Sequence, residues 1–306
     1  MSRRKRSNSA DHGKDKDNLA EGRLGEDDMS NDRIPMPERP EPRTFNAPLW
    51  AGAVVVIAVV AVLLVNVFGH KETLTVDALN PPAVAALDGG SEVYPANSEL
   101  AFTENVKFGY LPAPTLAVLG DGTVVAADPE TAAETMGLSN GLEGLTSAQF
   151  LDRTITPPRE DTELGIPVTW DKLVGDVAGS TVILPLISDS ATAGPALETI
   201  AEADMAASAI VRTADPTVAR AAADAGIDAM FVGDTSTANP EDLTAAGYTM
   251  IAVPSDAVVR WNESDLTVWA TDIADKQQLD ALADQGILGA LSTNPYAIQP
   301  SAVKTD

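Results

Sequence analysis

The chain has 306 residues, of which 44% are hydrophobic, enough to build the core of one large domain or two small ones. Its formal net charge of −25 arises entirely after residue 70, where ten Lys and Arg stand against 35 Asp and Glu, so this part would repel nucleic acid and anionic lipid headgroups. Cysteine is absent, which excludes a disulfide framework, a thiolate metal site and a cysteine nucleophile.

Residues 1–46 are rich in charged residues, Asn, Ser, Gly and Pro, and they show almost no apolar periodicity. Such a segment buries too little apolar surface to offset the loss of chain entropy, so we expect a disordered tail. Its basic cluster Arg3-Arg4-Lys5-Arg6 is typical of a topology signal; a contact with nucleic acid or lipid is the alternative.

A run of 22 uncharged residues follows at 47–68. At a rise of ~1.5 Å per residue it is long enough to cross the ~30 Å hydrocarbon core of a bilayer, which predicts a signal-anchor helix over 47–69. A cleaved signal peptide is disfavoured, because the run starts late and no small-x-small cleavage site follows it. The basic cluster orients the N-terminus to the cytoplasm, so the rest of the chain is expected outside the plasma membrane.

After an expected linker at 70–82, short β-branched runs alternate with Ala-rich helical stretches, which indicates an α/β domain over 83–301. The predicted barrel or sheet strands are 83–87, 115–119, 181–187, 208–213, 228–232, 249–253, 267–271 and 288–292. A further run at 123–127 is expected to form a local hairpin, because Gly120-Asp121-Gly122 favours a turn. The predicted helices are 98–108, 216–225, 240–246 and 275–285, with Asp215 and Asn239 as N-caps before proline.

Two stretches of the outer domain carry motifs. The first contains Gly89, Tyr94-Pro95 and Asn97, followed by a hairpin at 120–129, and the second contains 266–272 and 286–295. Together they resemble the glycerophosphodiester phosphodiesterase family. The first stretch is similar to the family's His-Arg-Gly loop, its Pro-Glu-Asn-Thr motif and its Asp-Gly-x-x-Val-Val-x-His-Asp-Pro hairpin, which is one residue shorter here at the turn. The second is similar to its Val-x-x-Trp-Thr-Val-Asn strand and its closing Gly-Val-Asp-Gly-Ile-Ile-Thr-Asp-x-Pro. This resemblance implies a (β/α)8 TIM-type barrel as the outer domain.

The resemblance also shows which functional groups are missing. Members of the family use two histidines as general acid and base, an arginine for the phosphate, and carboxylates for a divalent cation. The matching positions hold Leu87 and Ala127 for the histidines, Asp88 for the arginine, and Ala96, Ala113 and Thr115 for carboxylates, while 185–187 carries no charge where a Glu-x-Lys is expected. The chain's two histidines, His12 and His70, lie in the tail and at the edge of the predicted membrane helix. We therefore expect a pseudoenzyme with no catalytic residues, metal or cofactor.

Several Asp residues follow predicted strands, where such barrels place their chemistry: Asp88, Asp128, Asp189, Asp215, Asp234, Asp256 and Asp272. Most are expected to cap the next helix. Asp88 and Asp128 stand at positions of lost catalytic groups and are candidate binding residues, a weak cation site being the alternative. Trp261, next to a charged residue, is a candidate exposed binding residue, whereas Trp170 and Trp269 are expected in the core.

The leading hypothesis for function is an accessory or scaffold subunit of an integral membrane protein complex, in respiratory-chain or cell-envelope machinery, on the outer face of the plasma membrane. The partners would be the membrane and that complex, not nucleic acid. One alternative is an extracytoplasmic binding module for a glycerol-phosphate or sugar ligand. The other is a hydrolase with a relocated carboxylate-based site, as in glycoside cleavage.

Overall fold

The structure is a computed structural model, and it describes residues 74–139 and 141–299. The predicted tail at 1–46 and the predicted membrane helix at 47–69 lie outside these residues. None of the helices in the described ranges is long and apolar enough to span a bilayer.

Strands and helices alternate along the described chain. The strands are β1 (Ala83–Leu87), β2 (Leu111–Ala113), β3 (Leu116–Val118), β4 (Val124–Ala126), β5 (Ile210–Thr213), β6 (Asp228–Phe231), β7 (Met250–Pro254), β8 (Thr267–Thr271) and β9 (Gly289–Ser292). The helices are α1 (Glu99–Phe108), α2 (Pro129–Thr135), α3 (Ser147–Leu151), α4 (Trp170–Val177), α5 (Ser190–Glu202), α6 (Pro216–Asp224), α7 (Pro240–Ala246), α8 (Val258–Trp261), α9 (Lys276–Ala283) and α10 (Pro295–Ile298).

A parallel sheet with the strand order β2-β1-β9-β8-β7-β6-β5 curls into a barrel. Residues 182–187, here called the closing segment, join its two edges. On one side Leu184 N donates to Pro112 O at 2.8 Å, and on the other Ile210 N donates to Ile183 O at 3.0 Å. Parallel bridges of Leu186 to both Thr115 and Arg212 complete the closure. The α/β barrel expected from the sequence is therefore confirmed, with the segment predicted at 181–187 in the eighth strand position.

Alternation along the strands separates two apolar clusters. Ala85, Leu184, Ile210, Met230 and Trp269 belong to one cluster, which fills the barrel interior. The residues next to them on the same strands, such as Val84, Val211 and Val268, pack in a larger cluster with the surrounding helices. The barrel therefore has a packed interior rather than a pore.

The expected linker at 70–82 is partly folded. Its described residues form a short 3-10 turn, Val76–Ala78, in which Val76 is buried. Leu74 and Leu79 pack against the same interior cluster, just before β1 begins. These side chains close the amino-terminal end of the barrel, so the folded domain starts before the predicted boundary at residue 83.

The predicted barrel strand at 115–119 is wrong. The barrel strand at that place is β2, four residues earlier, and β3 turns away to pair with β4 in an antiparallel hairpin. The predicted hairpin is present, but its first arm is β3 and not a barrel strand. Together with α2 and α3 it covers a separate small core around Phe150 and Ile155.

The predicted helix starts before proline are confirmed. The Asp215 side chain accepts from Thr217 N at the start of α6, and Asn239 accepts from Glu241 N at the start of α7. Each satisfies an amide that has no partner within the helix, and the following proline is already set for helical geometry.

Candidate functional site: the mouth of the barrel

The carboxyl ends of the barrel strands surround a cavity of about 440 Å³. Its apolar walls are Leu87, Leu186, Val232, Ala252, Pro254 and Leu291. One buried charged side chain, that of Arg212, also lines it. Barrels of this class carry their functional groups at this end, so this cavity is the candidate site.

Arg212 lies on β5 and is only 4% exposed. Its Nε donates to Leu184 O at 2.8 Å, and its Nη2 donates to Ala113 O at 2.9 Å and to Pro114 O at 3.1 Å. Burial lowers the pKa of Arg212 to about 10, and the attraction of Asp88 offsets part of that effect. The guanidinium is therefore still a cation at neutral pH, held in an apolar mouth by carbonyl oxygens.

The reason that an arginine stands there follows from the neighbouring prolines. In the parallel ladder between β2 and the closing segment, Leu184 N donates to Pro112 O, and Leu116 N donates to Leu186 O. The rung between them requires an amide at position 114 to donate to Leu184 O, but proline has no N–H. The Arg212 Nε supplies the missing donor.

Asp88 forms the second polar feature of the mouth. Its Oδ1 accepts from Thr115 Oγ1 at 2.6 Å, Thr115 N at 3.1 Å and Asn97 Nδ2 at 3.1 Å. Asp88 and Asn97 both have left-handed backbones, with φ of 51° and 56°. The three residues fasten the loop after β1 to the end of β2, so this predicted binding residue makes structural contacts close to Arg212.

Asp128, the other candidate carboxylate, is a helix cap. Its Oδ1 accepts from Glu130 N at 3.0 Å and its Oδ2 from Thr131 Oγ1 at 3.0 Å, at the start of α2. Treating it as an exception to capping was wrong, because Asp-Pro starts this helix as it starts α6. Asp189 caps α5 in the same way, as predicted.

The tryptophans divide differently from the prediction. Trp170 and Trp269 are fully buried, as expected. Trp261, the candidate exposed residue, is 1% exposed and packs in the outer core from α8, so the expectation of an exposed ring is wrong. The guanidinium of Arg260 lies 5.5 Å from its ring centroid, which places the charge, not the ring, at the surface.

The positions that the resemblance assigns to catalytic groups lie at or near the mouth. Leu87 is a wall of the cavity, and Ala127 is 4% exposed just after β4. Ala96, Ala113 and Thr115 stand where the family's cation would need carboxylates, and none can supply one. No group of three or more His, Cys, Asp or Glu side chains suited to a metal ion occurs within the described ranges. The donor set therefore does not fit the family's cation.

Sequence reasoning missed Arg212, although one signal could have revealed it. It is the one charged residue in Ile210–Thr213, a strand whose four positions are all buried. It shares its face with Ile210, which points into the barrel. A cation on the inner face of a barrel strand needs acceptors, and Pro114 leaves one of them, Leu184 O, without a backbone donor.

The comparisons with solved structures agree with this architecture. A phosphodiesterase of Oleispira antarctica, solved in complex with the product sn-glycerol-3-phosphate, matches with a TM-score of 0.63 and 16% identity, over 72% of this chain and 96% of that chain. A glycerophosphodiester phosphodiesterase of Agrobacterium tumefaciens matches with a TM-score of 0.61 and 11% identity, over 71% of this chain and 98% of that chain. A glycerophosphodiester phosphodiesterase of Thermotoga maritima matches with a TM-score of 0.58 and 15% identity, over 70% of this chain and 95% of that chain.

These likenesses show the fold, which is the α/β barrel of glycerophosphodiester phosphodiesterase structures. No protein-family model matches the chain, and no curated protein matches its sequence.

Proposed function

We propose that this protein is a catalytically inactive member of the glycerophosphodiester phosphodiesterase fold that acts as an accessory or scaffold subunit of a membrane protein complex. One observation carries the proposal. Leu87 and Ala127 occupy the two positions that the resemblance assigns to imidazoles, and the sequence has no histidine after His70. Proton transfer by two imidazoles is therefore not available to the described domain.

The remaining polar groups at the mouth do not replace that chemistry. The guanidinium of Arg212 is bound to three carbonyls, and the carboxylate of Asp88 is bound to Thr115 and Asn97. A glycoside hydrolase would instead need two carboxyl groups on either side of a scissile bond. Because Asp128 caps a helix and Asp88 fastens a loop, these two do not support the relocated carboxylate mechanism.

The location belongs to the same proposal. A signal anchor at 47–69, with a basic cytoplasmic tail before it, would hold the barrel at the outer face of the plasma membrane. A domain that carries the whole −25 charge and no histidine suits a role in assembly, in which its surface rather than its mouth is used.

The absence of turnover is tested with the purified full-length chain. We expect no hydrolysis of glycerophosphodiesters or bis-phosphodiesters above the buffer rate, with or without added Ca²⁺ or Mg²⁺. An active phosphodiesterase of the same fold serves as the positive control. Cleavage that disappears in the Asp88→Asn variant would overturn the proposal of inertness.

The scaffold role is tested by extraction from native membranes with mild detergent and purification through a tag at the C-terminus. We expect a membrane protein partner in stoichiometric amount. In a control chain, residues 47–69 are replaced by an unrelated apolar helix, so that only a partner held by the outer domain is retained. Recovery of the wild-type chain alone would contradict the scaffold role.

A further inference from the structure

The cavity at the barrel mouth combines two properties that the scaffold role does not use. Its walls are mostly aliphatic, and it holds one buried cation. Small-molecule sites are typically concave and largely apolar, with a few placed polar groups that fix the orientation of the ligand. A cavity of about 440 Å³ falls within the usual range for such sites.

The guanidinium of Arg212 has hydrogen-bonding capacity left. Its Nε and Nη2 are engaged by Leu184, Ala113 and Pro114, whereas Nη1 makes no hydrogen bond to any residue that the structure describes. Two hydroxyl side chains, Thr235 and Thr271, also line the cavity. Thr271 already donates its hydroxyl proton to Asp272 Oδ2, so an acceptor entering the mouth would meet the unused N–H groups of the cation and the hydroxyl of Thr235.

The surrounding charges limit which anion can enter. The carboxylate of Asp88 lies close enough to Arg212 for its attraction to raise the pKa of the guanidinium, and Asp234 lines the same cavity. One cation beside two carboxylates, in a strongly acidic domain, disfavours a dianion such as a phosphate monoester. The aliphatic walls Leu87, Leu186 and Leu291 in turn favour an apolar body over a sugar or glycerol.

We infer that the barrel mouth binds a small organic monocarboxylate, with the carboxylate on Arg212 Nη1 and a compact apolar body against Leu87, Leu186 and Leu291. This site would be independent of the proposed scaffold role, because it uses the mouth and not the outer surface. An absence of ligand binding would therefore leave the scaffold role intact, and an absence of a membrane partner would leave the ligand site intact.

The inference is tested by titrating the full-length chain calorimetrically with cyclohexanecarboxylate, with a detergent-only titration subtracted. We expect saturable binding at one site. The uncharged cyclohexanecarboxamide should bind about tenfold more weakly or worse, since the ion pair between carboxylate and guanidinium is replaced by a hydrogen bond from the guanidinium to a neutral oxygen. Cyclohexylmethylamine and inorganic phosphate should not saturate. An absence of saturation by the carboxylate, or equal binding of phosphate, would overturn the inference.

Two variants locate the site. Ala252→Met fills the cavity from β7 without touching the hydrogen bonds of Arg212, and should abolish binding. The same change at the exposed Ala148 on α3 is the matched control and should leave binding unchanged. Arg212→Met should also abolish binding; if that variant does not fold, the Ala252 variant decides. Unchanged affinity in Ala252→Met would refute the site.

Discussion

At the scale of single residues, Pro112 and Pro114 set the main problem of this barrel. Each stands in or beside β2 where a parallel ladder needs an amide donor, and each provides only a carbonyl. An unpaired buried carbonyl costs about 1–3 kcal/mol. Arg212 lies on β5, the opposite neighbour of the closing segment, and it replaces the amide missing at Pro114 by donating to Leu184 O. The same side chain is then left in the mouth with both N–H groups of Nη1 unused.

If Arg212 replaces a backbone amide, its loss should be partly offset by restoring that amide. We expect Arg212→Met to destabilise the fold by about 3 kcal/mol, because Leu184 O loses its donor, whereas Ala113 O and Pro114 O lose a charged donor but keep the backbone N–H groups of Asp88 and Leu186. In the double variant with Pro114→Ala, the new N–H can reach Leu184 O and should recover about 1 kcal/mol. Denaturant unfolding of the four proteins in the cycle gives the coupling energy. A coupling energy of zero would show that the guanidinium does not stand in for the amide.

Asp121 offers a second test at this scale. The backbone N–H of Ser147 donates to its Oδ2 at 2.6 Å, and this bond is the main cause that lowers the pKa of Asp121 to about 2. Since the folded pKa lies below the ordinary 3.8, the stabilising contribution is complete above about pH 4 and is lost as pH falls through 2.

We expect Ser147→Pro to raise the pKa of Asp121 towards 3.8, because the donor is removed. Proline is tolerated there, since Ser147 is the first residue of α3. The control Ser147→Ala keeps the amide and should leave the pKa near 2. Carbon-13 shifts of the Asp121 carboxyl, followed by NMR against pH, measure both. A pKa that stays low in the proline variant would assign the shift to Thr123 instead.

At the scale of elements, the sequence located most strands within one or two residues, because β-branched runs bounded by Gly, Asn and Asp are strong signals. The predicted 83–87 and 267–271 coincide with β1 and β8. The error at 115–119 has a specific cause. The β2 sequence Leu-Pro-Ala contains a proline, which argues against a strand by propensity, and the next apolar run was the nearest substitute. Only tertiary pairing identifies β2.

Two glycines in regular elements predict opposite effects of one substitution. A Cβ on Gly289, in β9, would overlap Ala83 O and lie 2.5 Å from Trp269 Cζ3. A Cβ on Gly175, in α4, would meet nothing within 4 Å. We expect Gly289→Ala to destabilise the fold by about 3 kcal/mol through overpacking, and Gly175→Ala to stabilise it by about 0.5–1 kcal/mol through helix propensity. Thermal unfolding of both variants checks the signs; equal shifts would contradict the close approach of β9 to β1.

At the scale of the whole molecule, the sequence predicts where the site lies but not which residues line it. A barrel assigned by resemblance puts the site at the carboxyl end of the strands, and Leu87 and Asp88 do lie there. The sequence alone also shows that the domain has no histidine. The single charge in β5 singles out Arg212 in the sequence, but its role depends on the register between β2, the closing segment and β5, which no local pattern gives. The prediction of an exposed Trp261 is wrong for a similar reason, because the four-residue helix α8 turns its ring inward.

The closing segment also makes the barrel uneven. Between β7 and β8 the ladder runs through five paired residues, from Met250↔Thr267 to Pro254↔Thr271. Around the closing segment the pairing is reduced to isolated bridges, and Pro112, Pro114 and Pro185 interrupt the amide donors. Local opening should therefore begin where backbone hydrogen bonds are fewest, and the barrel should open at this seam before it unfolds globally.

Native-state hydrogen exchange tests this seam directly. We expect the amides of Leu184 and Leu186 to exchange through a local opening, well before those of Ala252 and Trp269 in β7 and β8. In Arg212→Met the difference should widen, because the guanidinium is the donor that bridges the gap left by Pro114. The variant should leave the relative protection of β7 and β8 unchanged, apart from the loss of global stability. If all four amides exchange at one common rate in the wild-type chain, the prediction is wrong. The hydrogen bonds of Arg212 would then hold the closing segment as firmly as a complete backbone ladder holds β7 and β8.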